Sequence, residues 1–368
     1  MRGPIDVFWH PAVLEHDTGV GLFEGGPSTL LDVPEPHPEN GERIANMRSV
    51  LERGPIAGSL RWHDGRLATV EELDAVHPPG YVEEIRTACE RGRRFTTTTV
   101  VSDRSWEPIL ASAGTAIAAG DAVLSGAAEI SYALVRPPGH HAAPAQADGY
   151  CFFNQCALVA ERARALGLAR IAIVDWDVHH GNGTQACFFD RDDVLTISVH
   201  MRHGSWGPTH PETGSADEIG LGAGAGFNVN VELGLGAGDH AHRASFEEIV
   251  LPILRRFAPE LIVGACGQDA SAFDPNGRQN VTMAGFHAIG RCMGDAAAEL
   301  CDGRLVLVQE GGYARTYAAY CLHATLEGVL GIPPTLVDPI AYLPDDGERW
   351  RPDLDAVRSA LGRYWELS

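Results

Sequence analysis

The stretch IAIVDWDVHHGNGT, Ile171 to Thr184, decides how this chain is read. Its first four residues are apolar whichever way they face, the pattern of a strand covered on both sides. The strand then runs directly into two acids and two histidines before a glycine-rich turn. Side chains two apart on a strand share a face, so Asp175, Asp177 and His179 point the same way. Carboxylate oxygen and imidazole nitrogen are both zinc donors, and a catalytic zinc keeps three protein ligands and one open position. Asp177 and His179 supply two. Taken alone, the same string could cap a helix or decorate a solvated loop, so the rest of the chain has to decide.

Further β-rich runs lie on either side: ISYALV (130–135), RIAIVD (170–175), VLTISVH (194–200), FNVNV (227–231), LIVGACG (261–267) and RLVLVQ (304–309). Between them, apolar residues recur at three- and four-residue spacing over 154–166, 241–257, 282–300 and 317–330, which predicts helices. Strand alternating with helix predicts a mostly parallel central sheet flanked by helices on both faces, the α/β class. Ligands in such sheets gather beyond the carboxyl ends of the strands. RPPGHH follows the first run, DVHHGNG the second, QDASAFDP the run at 261 and EGGY the run at 304, so four strand ends point chemistry at one rim. Asp269, on that rim, is the best-placed third ligand.

The remaining rim residues suit hydrolysis. A histidine of ordinary pKa near 6.5, held by the prolines of RPPGHHA, can take a proton from water and return it to a leaving amine. Asp175, if not a ligand itself, can orient one of the pair, as a buried acid does in a triad. The glycines of EGGY let the loop set the Tyr313 phenol over the site, aimed at a developing oxyanion.

The bulk numbers bound the rest. At 368 residues, 45% hydrophobic and 21% charged, the chain reads as one soluble catalytic domain spanning 1–368, with a loop-rich N-terminal region to about 100 and a C-terminal extension from about 331. No apolar run reaches the roughly 20 residues of a membrane span. The first residues lack the pattern of a secretory signal, so a cytoplasmic location is expected. Eight scattered cysteines without a CxxC pair read as reduced thiols. A net charge of −21 argues against a nucleic-acid partner while leaving cationic substrates open. The long N-terminal loops lead us to expect a homo-oligomer, dimer or tetramer.

RPPGHHA, GYCFFN, DWDVHHGNGT, the GxDAxxxDP pattern and EGGY, in this order, resemble the zinc-dependent histone deacetylase and acetylpolyamine amidohydrolase family, from about His37 to near Leu330. The resemblance implies the arginase/deacetylase fold and hydrolysis of an N-acyl, notably N-acetyl, amide of a lysine-like or small amine. It implies Zn2+ held by Asp177, His179 and Asp269, and K+ near Asp175, Ser198 and Val199. It makes His141 the general base and then acid, with His140 hydrogen-bonded to Asp175 and Tyr313 donating to the oxyanion. Asn182 stands where class I deacetylases carry Asp, which places the chain nearer class II and the bacterial amidohydrolases and should keep His141 neutral. Gly149, Tyr150 and Cys151 match the substrate channel and inner pocket, and Arg43 an arginine near the acetate exit. Trp206 takes the second aromatic wall.

Three features depart from the pattern. Tyr150 replaces the usual Phe, Gln268 replaces a bulky apolar residue, and Asn276 stands where polyamine-selective relatives place a carboxylate. The loop from Met201 to Gly226 is longer than in close relatives. Two other functions compete. A two-manganese ureohydrolase needs DxHxD, and Gly181 occupies the position of its second acid. A non-catalytic acyl- or amine-binding protein would be expected to lose a rim residue, and none is lost.

Overall fold

The computed structural model describes residues 2–21, 25–202, 212–340 and 347–367. Eight strands form one sheet: β1 (Ile5–Trp9), β4 (Leu60–Asp64), β5 (Ile130–Ala133), β6 (Ile171–Asp175), β7 (Val194–Met201), β8 (Asn228–Leu233), β9 (Leu261–Cys266) and β10 (Leu305–Gln309), in the order β4-β1-β5-β10-β9-β6-β7-β8. Every pairing is parallel. A separate two-residue hairpin joins β2 (Val20–Gly21) to β3 (Glu35–Pro36).

The strands carry apolar residues on both faces because both faces are covered. Along β6, Ile171 and Ile173 enter a core built with the helices Trp106–Leu124 and Gln155–Ala165. Ala172 and Val174 face the opposite core, with Phe286, Ile289 and Met293 of the helix Met283–Leu300. The predicted helices start and stop on local chemistry. Asn154 and Thr282 accept hydrogen bonds from Ala157 N and Ala284 N as N-caps, and Gly331 closes the helix Tyr317–Leu330 at φ 70°. The predicted 241–257 helix contains a π-helical turn, Phe246–Val250, just ahead of Pro252, which has no N–H for a regular ladder.

The ends of the chain are more ordered than their composition predicts. Ile5–Trp9 is buried in the sheet between β4 and β5, and the helices Gly41–Arg53 and Trp106–Leu124 pack beside it. Its five residues, hemmed by Pro4 and Pro11, are too few for periodicity to stand out. Leu60–Asp64, an edge strand with mostly solvated side chains, reads as loop for the same reason. Near the C-terminus, the helix Arg351–Trp365 anchors through Trp365, whose Nε1 donates to Gly226 O at 2.6 Å while the ring meets Phe227 edge-on.

Topology positions the site. The strands that end in RPPGHH, EGGY, QDASAFDP and DWDVHH are β5, β10, β9 and β6, four neighbours at the centre of the sheet. Residues from 136 to 313 in the sequence are thereby gathered on one carboxyl edge.

Candidate active site

Asp177, His179 and Asp269 are buried, with one donor atom from each within 4.8 Å of the others. His179 Nδ1 lies 3.0 Å from Asp177 Oδ1 and 3.1 Å from Asp269 Oδ2. Backbone amides fix the acids: Gly311 N donates to Asp177 Oδ2 at 2.8 Å, and Val178 N to Asp269 Oδ1 at 2.8 Å. Burial and the charge of Asp177 push the Asp269 carboxyl up to about 8. Burial opposes the charged form of His179 too, but its two acidic neighbours outweigh it and raise the imidazole to about 10. Two acids compressed around one imidazole in a dry setting form a donor set that a divalent cation would relieve. The donor types fit zinc. Gly311 makes the cradle possible, because a Cβ there would overlap both carboxylates. Gly311→Ala is therefore expected to lower divalent-metal content measured by elemental analysis on folded protein, with activity falling in parallel.

Asp175 lies outside this set. Its Oδ1 accepts from Asp177 N at 3.0 Å and its Oδ2 from His140 Nδ1 at 2.8 Å. Ser198 pairs with it in register on β7, and Ser198 Oγ accepts from Gly181 N. Val199 follows, fully buried. The residues expected near potassium are thus brought together on adjoining strands. A Cβ at Gly181 would overlap Asp175 Oδ2, which leaves no space there for the second acid of a two-manganese site.

The two adjacent imidazoles are driven in opposite directions. Burial opposes charge on His140, but the carboxylates of Asp177 and Asp175 override it and hold the ring well above its ordinary pKa. Burial lowers His141, and the neighbouring His140 and His179 lower it further. Asn182 Oδ1 can only accept, so the 2.6 Å contact makes His141 Nδ1 the donor and leaves Nε2 with its lone pair. One ring holds a proton and the other is ready to take one, 4.0 Å apart between centroids.

Tyr313 is buried, its pKa raised by burial, with the Arg43 guanidinium 5.1 Å over its ring. Arg43 Nη1 donates to Glu310 O at 3.0 Å, so this arginine sits beneath the tyrosine. Gly149, at φ 48°, lies against the His141 ring with no space for a Cβ. Tyr150 meets Tyr313 edge-on at 5.6 Å, and Asn276 Nδ2 donates to the Tyr150 hydroxyl at 2.9 Å. Cys151 is buried, its thiol donating to Gly149 O.

Gln268 sits beside Asp269 in the interior. Its side chain is fully buried, with Nε2 donating to Cys266 O and Oε1 accepting from Gln309 Nε2. An amide needs several partners at once, and the protein interior supplies them where an open wall does not. Trp206 lies outside the described residues.

Three supporting groups were not singled out from the sequence. Glu310 Oε2 accepts from Gly139 N and His140 N, holding the histidine turn, and burial pushes its carboxyl up to about 7. Asp274 accepts from Tyr313 N and Ala314 N on one oxygen and from Asn276 N and Gly277 N on the other. Glu39 pairs with both Arg43 and Arg136, and these two cations outweigh burial and lower its carboxyl to about 2. Glu310 and Asp274 stand inside motifs already quoted (EGGY and GxDAxxxDP), so a signal was present, but they act on backbone N–H groups and Glu39 on two arginines, roles that residue type does not announce.

A cation-ready donor set beside two oppositely polarised imidazoles and a phenol is a constellation for hydrolysis. Comparison with known proteins gives the family. Residues 37–329 match the model for the histone deacetylase domain. Histone deacetylase 8 of Arabidopsis thaliana is 51% identical over 347 residues, 93% of this chain and 92% of that protein. The histone deacetylase-like amidohydrolase of Pseudomonas aeruginosa is 42% identical over 306 residues, 83% of this chain and 80% of that one. The crystal structure of the HDA15 HD domain superposes with a TM-score of 0.85 at 31% identity, covering 99% of this chain and 96% of the other. This chain belongs to the histone deacetylase family and has its arginase/deacetylase fold. No helix among the described residues is long and apolar enough to cross a membrane.

Proposed function

We propose that this protein is a zinc-dependent amidohydrolase that cleaves the N-acyl, chiefly N-acetyl, amide of a lysine-like or small amine, releasing a carboxylate and the free amine. The observation that carries the reading is His141, its Nδ1 bonded to Asn182, beside the buried Asp177, His179 and Asp269 set within a chain of the deacetylase family. Zinc held by those three residues would supply Lewis acidity for the amide carbonyl and the attacking water. Potassium, held near Asp175, Ser198 and Val199, would steady the loop that presents the ligands.

The protein's own groups manage the proton. His141 Nε2, freed by the Asn182 bond, removes a proton from the attacking water and later delivers it to the departing nitrogen. His140, kept cationic by Asp175, places positive charge beside the developing oxyanion. Tyr313, which burial keeps protonated, donates to that oxyanion. Tyr313→Phe is expected to lower kcat by about a hundredfold with KM little changed, since this bond strengthens only as charge develops. A rise in KM alone in steady-state assays would remove Tyr313 from this role.

The amine-side channel is assigned to Gly149, Tyr150 and Asn276, with Cys151 deeper and Arg43 beneath Tyr313. An acetylpolyamine substrate is the second reading, favoured by the net charge of −21. Against it, the rim residue Asn276 is an amide engaged with Tyr150. A cytoplasmic homo-oligomer acting on small acylated amines or acyl-lysine, without nucleic acid, completes the proposal. Exposed Leu30, Leu31 and Val33 support self-association. Turnover of a fluorogenic acetyl-lysine amide by zinc-loaded protein, set beside acetylated polyamines, tests the reaction and ranks the substrates. Absence of hydrolysis of every acyl amide would overturn it.

A further inference from the structure

Two of the departures from the family pattern touch each other. Asn276 Nδ2 donates to the Tyr150 hydroxyl at 2.9 Å. Tyr150 itself stands at φ 69°, a left-handed conformation that a bulky L residue keeps only where its surroundings over-determine it. Its N–H is tied to Thr99 Oγ1 at 3.1 Å. Its ring is wedged edge-on against Tyr313 at 5.6 Å and against His37 at 5.0 Å.

The contacts form a closed circuit. Asp274 Oδ2 accepts from Tyr313 N at 2.6 Å, and Asp274 Oδ1 from Asn276 N at 2.9 Å. The Asn276 side chain reaches Tyr150, whose ring returns to Tyr313. A phenylalanine at 150 would keep the backbone tie to Thr99 and the ring packing but leave its far edge unanchored. Tyr150 is held at backbone, ring and hydroxyl, so this wall cannot swing outward unless the hydrogen bond from Asn276 breaks.

Building on the channel assignment proposed above, we infer that Asn276 is a specificity residue. Acting through Tyr150, it fixes the width of the channel beside Tyr313 and so favours amides of slim, unbranched alkyl amines over amides of flat aromatic amines. Asn276 touches no reacting atom in this account. It positions the wall that selects what arrives there.

The test compares kcat/KM for an acetyl-lysine amide with kcat/KM for an acetylated aniline, using zinc-loaded protein of verified fold and metal content. Asn276→Ala and Tyr150→Phe should each lower the ratio by about fivefold or more, the range expected for loss of one neutral hydrogen bond. Tyr150→Phe removes a single hydroxyl, so it reports even if the loop variant folds poorly. The double variant should show no further fall, because both substitutions cut the same bond. Asn276→Asp, which can accept from the phenol, should keep the ratio near that of the parent protein. A purely structural role would lower both rates together and leave the ratio alone. An active protein whose ratio is unmoved by either single substitution, or whose two effects multiply in the double variant, overturns this inference by itself. A parent protein that hydrolyses neither probe overturns the hydrolase reading and this inference with it.

Discussion

Stripping divalent ions with a chelator should lower hydrolysis of an acetyl-lysine amide at least about a thousandfold, and one equivalent of Zn2+ should restore it. The magnitude follows from the several kcal/mol of transition-state stabilisation that a Lewis acid provides, at tenfold in rate per 1.36 kcal/mol. Nothing else described near the substrate carbonyl matches that. His140 and Tyr313 each offer one donor, whereas Asp177, His179 and Asp269 converge three buried donor atoms within 4.8 Å. His179 Nδ1 lies 3.0 Å from Asp177 Oδ1 and 3.1 Å from Asp269 Oδ2, close enough for one cation to be shared by all three. Activity that survived chelation, with metal content shown by elemental analysis to be negligible, would remove the metal from the reaction.

His141→Ala should lower kcat roughly a thousandfold while leaving metal content and fold intact. The ring is not in the candidate metal-binding group, so under the proposed mechanism its loss takes away the proton carrier alone. The expected size rests on its electrostatic setting. Burial, reinforced by His140 and His179, keeps the imidazole neutral, and Asn182 keeps its Nδ1–H occupied. Removal of His141 leaves the cationic His140 unable to serve as a base, because that ring already holds its proton against Asp175. Near-normal turnover in the variant would reassign the base.

Much of this site was legible before any fold was known. Asp177 and His179 are legible as metal-type residues just after an apolar run, and Asp269 just after another, although β6 stops at Asp175 and it is the bend beyond it, not a shared strand face, that presents them. The pairing of His140 with Asp175 and of His141 with Asn182 followed from the family resemblance, and the structure brings each pair within hydrogen-bond distance. Gln268 shows the limit of such reading. Its place next to a ligand is plain in the sequence, but that its amide bonds to Cys266 and Gln309 is not. Glu310 and Asp274 were passed over because they act on backbone N–H groups, and which backbone comes near is not a property of the acid.

The sequence by itself determined what is set locally: strands apolar on both faces, helices with their caps, and ligands two residues apart, all fixed by backbone geometry and near neighbours. Only the tertiary structure decided what depends on distant charge and contact. It put β1 inside the sheet, made β5, β10, β9 and β6 adjacent, polarised two consecutive histidines in opposite directions, and joined Asn276 to Tyr150 across 126 residues of chain. Desolvation and electrostatic fields are sums over every group that folding brings near, and that sum has no counterpart in the order of the residues.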